Sequence, residues 1–103
     1  MLQHVTGEHF RPLLDQPCPL HLPDGSQLPI QIESVDERPR SRLSQDHRIS
    51  FNVQLRSLAP TDFIDGLCSL DLPGAQRLEN LFVSREPAMG RDERFGYYCI
   101  VFN

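Results

Sequence analysis

The residues of this chain best equipped for chemistry are its arginines. The 103 residues include ten that count as Lys or Arg, and all ten are arginine. Schiff-base chemistry, a lysine phosphate loop and a lysine general base are therefore excluded. Three of the ten gather in Arg38-Pro39-Arg40-Ser41-Arg42. Pro39 biases Arg38 toward extended backbone, where alternate side chains point the same way. Arg38, Arg40 and Arg42 would then form a comb of guanidinium groups able to hold a phosphate, a carboxylate or a partner's acidic patch. The competing reading is a solvated loop whose charge is partly neutralised by Asp36, Glu37 and Asp46.

No other set of side chains has the spacing of a reactive centre. His4, His9, His21 and His47 never take the i, i+4 arrangement that stacks two imidazoles over a metal on a helix. Asp62/Asp65 and Asp92/Glu93 pair carboxylates, but both pairs lie in polar turn regions, where nothing desolvates a carboxyl enough to raise its pKa for acid–base work. No Gly-x-Ser-x-Gly elbow exposes a nucleophile, and the six glycines are dispersed singly rather than gathered into a phosphate cradle. Cys18, Cys68 and Cys99 are an odd number, widely spaced and set in apolar or alternating runs, which fits buried structural thiols better than a disulfide, a metal site or a nucleophile. The chain is expected to be no enzyme and to need no metal or cofactor.

Length and charge narrow the field further. Residues 1–103 have room for one domain, since two cores of half that size would each approach the limit of independent stability. A hydrophobic content of 39% is enough for one core. The net charge of −4 argues against a general nucleic-acid binder or an anionic-membrane binder. The start, Met1-Leu2-Gln3-His4-Val5-Thr6, lacks a basic region followed by an apolar run, so the cytoplasm is the expected location.

The elements that must position any site are mainly strands. Thr6 as a cap, Glu8 in the first turn and Val5 with Phe10 as a staple predict a short helix near residues 6–14, ended or kinked by Pro12. From Pro17 the apolar period becomes two. Cys18, Leu20 and Leu22, then Leu28, Ile30 and Ile32, flank Pro23-Asp24-Gly25-Ser26, a hairpin turn with Gly25 left-handed. Pro19 and Pro29 cannot donate to a ladder, so each belongs at an edge or faces its missing donor outward, which places this hairpin at a sheet margin. Residues 36–47 read as a polar loop. Ile49, Phe51, Val53 and Leu55 alternate with Ser50, Asn52, Gln54 and Arg56 in a strand packed on one side. Ala59 to Gly66 reads as one helical turn, Cys68 to Leu72 as a strand, Pro73-Gly74 as a turn, Leu78 to Ser84 as a fifth strand and Phe95 to Phe102 as a sixth. Six strands with short connections predict a small antiparallel barrel or sandwich with a short N-terminal helix, the barrel favoured because closure removes edges.

The sixth strand is apolar on both faces: Tyr97, Cys99 and Val101 on one, Tyr98, Ile100 and Phe102 on the other. Either the N-terminal helix covers the second face, or Tyr98, Ile100 and Phe102 form an interface with a partner or another subunit.

With these strands placed, several stretches carry a resemblance: the helix with Phe10 and Leu13-Leu14, the strand from Ile49 to Arg56, Phe63 to Leu70, Leu81-Phe82-Val83, and Tyr98 to Asn103. Together they resemble a family of short bacterial β-rich proteins classed as a domain of unknown function, some encoded beside phage-tail-collar-like proteins. The resemblance implies a stand-alone β domain with an accessory or structural role in such an assembly, and it transfers no catalytic residue. The expected function is therefore non-enzymatic protein interaction or assembly, with a protein partner or a homo-oligomer. The alternative is a small-ligand-binding barrel in which Asn52, Gln54, Arg56 or the arginine comb fixes a polar group in a mouth or cavity.

Overall fold

The computed structural model describes residues 5–38, 50–72 and 76–102. Period-two alternation builds β1 (Pro17–His21), β2 (Gln27–Arg38), β3 (Ser50–Pro60), β4 (Asp65–Leu72), β5 (Gln76–Glu86) and β6 (Phe95–Phe102). They close into one barrel in the order β1-β2-β3-β6-β5-β4, every neighbouring pair antiparallel. The protein is thus mainly β, and closure decides for a barrel over a sandwich. Inward positions on each strand supply the core, among them Leu20, Ile30, Ile32, Phe51, Val53, Leu55, Leu70, Leu81, Val83, Tyr98 and Ile100, each at most 2% exposed. A barrel of about eight strands is only just wide enough for side chains to fill it, and six make a narrower one.

Turn chemistry fixes the first hairpin as the sequence predicts. Gly25 adopts φ +89°, its N–H donates to Leu22 O at 3.0 Å, and Leu22 N–H donates to Ser26 O at 2.8 Å. Pro19 stands directly opposite Pro29, so the two residues that cannot donate share one step of the ladder. Closure is narrow at two seams. Among the described residues β1 meets β4 at Leu20↔Leu70 and His21↔Ser69, so the sheet margin expected for the first hairpin is absent because closure pairs β1 on both sides, and β5 meets β6 at Ser84↔Cys99, Arg85↔Tyr98 and Glu86↔Tyr97.

The N-terminal helical segment is present but wound as two 3-10 turns, Gly7–His9 and Arg11–Leu13. Pro12 explains the break: lacking an N–H and fixing φ, it cannot continue an α-helix through Phe10. Thr6 N–H donates to His9 Nδ1 at 2.9 Å, and Arg11 pairs with both Glu8 and Glu37, tying the segment to β2. Phe10 is fully buried, its ring 6.0 Å from Phe51 and 5.5 Å from Phe102, which stack on each other at 4.5 Å. The segment plugs that end of the barrel.

Two expectations change. Asp36, Glu37 and Arg38 are not loop: they extend β2 opposite Asn52, Phe51 and Ser50, after a bulge between Ile32 and Ser34 resets which side chains face inward. The rest of the expected polar loop lies outside the described residues, as does the Pro73-Gly74 turn. The helical turn over 59–66 is also absent, because β3 runs on to Pro60 and β4 begins at Asp65. Thr61 Oγ1 does accept the Phe63 N–H at 3.1 Å. The carbonyls a helix would use, those of Thr61 and Phe63, are instead taken by Arg85 and Tyr98 from across the barrel.

Removing the aromatic plug tests its weight. Phe10→Ala leaves a cavity between Phe51 and Phe102 and is expected to lower unfolding free energy in urea by about 3–4 kcal/mol, with the barrel's far-ultraviolet signature retained at zero denaturant.

Candidate functional site

Arg85 follows Leu81 and Val83 at the next inward position of β5, where its guanidinium reaches the barrel end opposite the plug. Nη1 donates to Thr61 O at 3.2 Å and to Phe63 O at 3.1 Å, and Nη2 donates to Phe95 O at 3.1 Å. The cation also lies 5.9 Å from the centre of the Tyr98 ring. Tyr98 Oη donates to Phe63 O at 2.7 Å. Room for that phenol comes from Gly96, two residues earlier on the same side, where any Cβ would fall on the Tyr98 ring and hydroxyl. The ladder between β3 and β6 is interrupted here, between Arg56 and Pro60. Ser57 repairs it: fully buried, it accepts the Gly96 N–H at 2.8 Å and donates to Ala59 O at 2.7 Å. Burial raises the Tyr98 pKa against the lowering effect of the Arg85 charge, so the phenol stays protonated as a donor. This network is a structural clasp that commits three of the five guanidinium N–H donors and the phenol O–H to backbone carbonyls.

The outer surface beside the clasp is open. On β5 the alternation that turns Val83 and Arg85 inward turns Phe82, Ser84 and Glu86 outward. Phe82 stands opposite Leu67 of β4, each 56% exposed, and Val101 on β6 is 58% exposed. Ile64 and Met89 are more exposed still. At the other end of the same row Glu86 stands opposite Tyr97 and borders a cleft of about 440 Å³ lined by Arg85, Glu86, Pro87, Ala88, Glu93, Phe95 and Tyr97. Arg91 lies 3.7 Å over the Tyr97 ring and pairs with Glu33 at 3.4 Å, and Arg56 Nε sits 3.6 Å from the other Glu33 oxygen. Asp92 is bound by Arg94 and by its own turn's backbone, and these hydrogen bonds hold its pKa down to about 2. Glu86 and Glu93 have no such partner among the described residues.

The residues singled out from the sequence fare differently. Tyr98, Ile100 and Phe102 are 0%, 2% and 3% exposed and line the barrel interior, so of the two alternatives for that face the structure shows the covered one. Closure makes that side of β6 the inside, and the strand looks two-faced because Arg91 also covers Tyr97 on the outside. Arg38 ends β2, while Arg40 and Arg42 lie outside the described residues. Asn52, Gln54 and Arg56 stand on the outer side of β3, opposite to the inward Phe51, Val53 and Leu55, and so do not point into the barrel. Arg85 and the Leu67–Phe82 pair were legible only as alternation: each occupies a position whose facing follows from a neighbour two residues away. Among the described residues no group of three metal-ligating side chains forms, and no helix is long and apolar enough to cross a membrane.

Comparison with known proteins adds one finding. Residues 5–102 match the model of a family described as a domain of unknown function, DUF6916, and the chain belongs to that family. No curated protein and no solved structure matches it.

The clasp and the buried thiols each yield an expected outcome. Arg85→Met removes the guanidinium donors to the Thr61 and Phe95 carbonyls and leaves Phe63 O to Tyr98 alone, and is expected to cost about 2–3 kcal/mol in urea unfolding. Arg85→Lys should recover less than half, because an ammonium cannot reproduce the planar fork. All three cysteines are free, and burial pushes the Cys68 thiol from 9.0 up to about 11. At pH 8 the folded chain should therefore be alkylated at Cys68 about 100-fold more slowly than the urea-unfolded chain, as read by mass spectrometry. Because the fold disfavours the thiolate, the stability Cys68 contributes is present below about pH 9 and is lost as pH rises toward 11.

Proposed function

We propose that this family member is a non-catalytic protein-binding module, an accessory domain of a larger assembly, that docks through the outer side of β4, β5 and β6. The observation supporting the reading is the Leu67–Phe82 cross-strand pair, two large apolar side chains more than half exposed on a barrel whose inward-facing side chains are buried. Scattered exposed apolar residues are ordinary, but adjoining ones mark contact surfaces, where burial is worth about 25 cal/mol per Å² of apolar area. A different protein suits the face better than a second copy. The chain carries a net charge of −4, and Asp62 and Asp65, beside Ile64 at the start of β4, have no cationic partner among the described residues, so a copy would bring like charge to like. The same charge balance speaks against nucleic acid as the partner. We place the module in a phage-tail-like structural assembly of a bacterium, a setting supported by the family resemblance alone.

The reading is tested by incorporating a photo-crosslinking benzoylphenylalanine at position 82 in the native host and, as control, at the exposed position 27. The expected result is a discrete adduct to another protein from position 82 only, reduced at least tenfold by Leu67→Asp. Equal labelling from both positions, or adducts of the chain with itself alone, would overturn it.

A further inference from the structure

The docking face does not end at its apolar pair. Phe82, Ser84 and Glu86 form one outward row on β5, and Glu86 opens onto the cleft walled by Phe95, Tyr97, Pro87 and Ala88, with Glu93 across it. The row is apolar at one end and anionic and aromatic at the other. Carboxylates beside aromatic rings are the chemistry that binds a cationic side chain, the carboxylates by charge-assisted hydrogen bonds and the rings by their electron-rich faces. Resting on the docking reading above, we infer that the partner carries an arginine that enters this cleft while an apolar residue of the same segment covers Leu67 and Phe82.

Each charged group facing the cleft bears on this assignment. Arg85 lines it, but its guanidinium is directed to the Thr61, Phe63 and Phe95 carbonyls and belongs to the clasp. Arg91 is drawn to Glu33 and the Tyr97 ring, and Arg94 to Asp92. Among the described residues the cations near the cleft are thus engaged, whereas Glu86 and Glu93 have no ion pair. Arg91 also shows that the aromatic strip accepts a flat guanidinium, at 3.7 Å over Tyr97, and the half-buried Phe95 remains as a wall. An arginine meets this site better than a lysine because its planar group stacks on a ring and forks to a carboxylate at once. Four residues at about 3.3 Å each separate Phe82 from Glu86, roughly 13 Å, so an extended partner segment should place its apolar residue and its arginine four positions apart on one side.

Nuclear magnetic resonance titration of the full isotope-labelled chain separates the two parts of the claim. With N-acetylarginine amide as probe, amide shifts should concentrate at residues 86, 88 and 93–97, weaken as salt is added, and weaken at least tenfold when the neutral citrulline analogue is used or in the Glu86→Gln/Glu93→Gln double variant. A five-residue peptide with leucine first and arginine last should bind at least tenfold more tightly than the amide and also shift Leu67 and Phe82. Equal binding of citrulline and arginine, shifts elsewhere, or no saturable shift would overturn the cleft assignment, and tighter binding of the lysine analogue would overturn arginine as its ligand. If the amide binds but position 82 yields no adduct, the docking reading fails and the cleft stands. If adducts form but the amide does not bind, the docking reading stands and this inference falls.

Discussion

The barrel depends on one guanidinium. Arg85 bridges the β3–β4 connection, through the Thr61 and Phe63 carbonyls, to the first residue of β6, through that of Phe95. The β5–β6 seam has three paired positions, and Arg85 is the middle one. Without the clasp, the seam that closes the barrel would rest on its neighbours, Ser84↔Cys99 and Glu86↔Tyr97. Among the described arginines with placed side chains, Arg85 spends its donors on carbonyls, whereas Arg11, Arg56, Arg77, Arg91 and Arg94 pair with carboxylates. A lysine could carry the charge at this position but not the forked geometry, which connects an arginine-only composition to a definite architectural need.

The two barrel ends solve the same problem with different physics. At one, the backbone rises past Pro12 in 3-10 turns and lays Phe10 across Phe51 and Phe102, a closure made chiefly by stacked apolar rings. At the other, strands diverge at the β3–β6 irregularity and leave carbonyls and an amide without ladder partners. Arg85, Tyr98 and Ser57 satisfy those groups, and Gly96 is bare so that the phenol fits. Buried polar groups left unpaired would cost about 1–3 kcal/mol each, so the clasp prevents a loss more than it adds a gain.

Much of this was legible in the sequence. Alternation marked all six strands, β6 to its exact bounds, and the Pro23-Asp24-Gly25-Ser26 turn declared its left-handed glycine. What alternation could not supply was which side of each strand closure would bury. Tyr98, Ile100 and Phe102 are apolar on a strand whose other face is apolar too, so pattern alone left inside and outside undecided; the barrel's curvature decides it. The helical reading of 59–66 failed for a related reason. Thr61 and Gly66 have the local chemistry of a cap and an exit, but donors some twenty to thirty-five residues away compete for the same carbonyls and win. Arg85 was invisible because a charged residue after an apolar run reads as the end of a strand rather than as its last inward position.

The separation of the clasp from the outer row has a consequence for how the surface can change. Leu67, Phe82, Val101, Glu86 and Glu93 hold none of the hydrogen bonds that close the barrel ends, and the first three are more than half exposed. Their substitution removes little packing, so the fold places little constraint on them, whereas their inward neighbours Leu81, Val83 and Arg85 on the same strand are fixed by core and clasp. Strand β5 thus divides by parity, with core and clasp on one side and the proposed docking row on the other. A residue exchanged between those sides would disturb both at once, because a shift of one position in β5 would bring Phe82 inward and turn Arg85 to solvent. The clasp therefore also sets the register of the outer row: while Arg85 holds its carbonyls, Phe82 and Glu86 must face out.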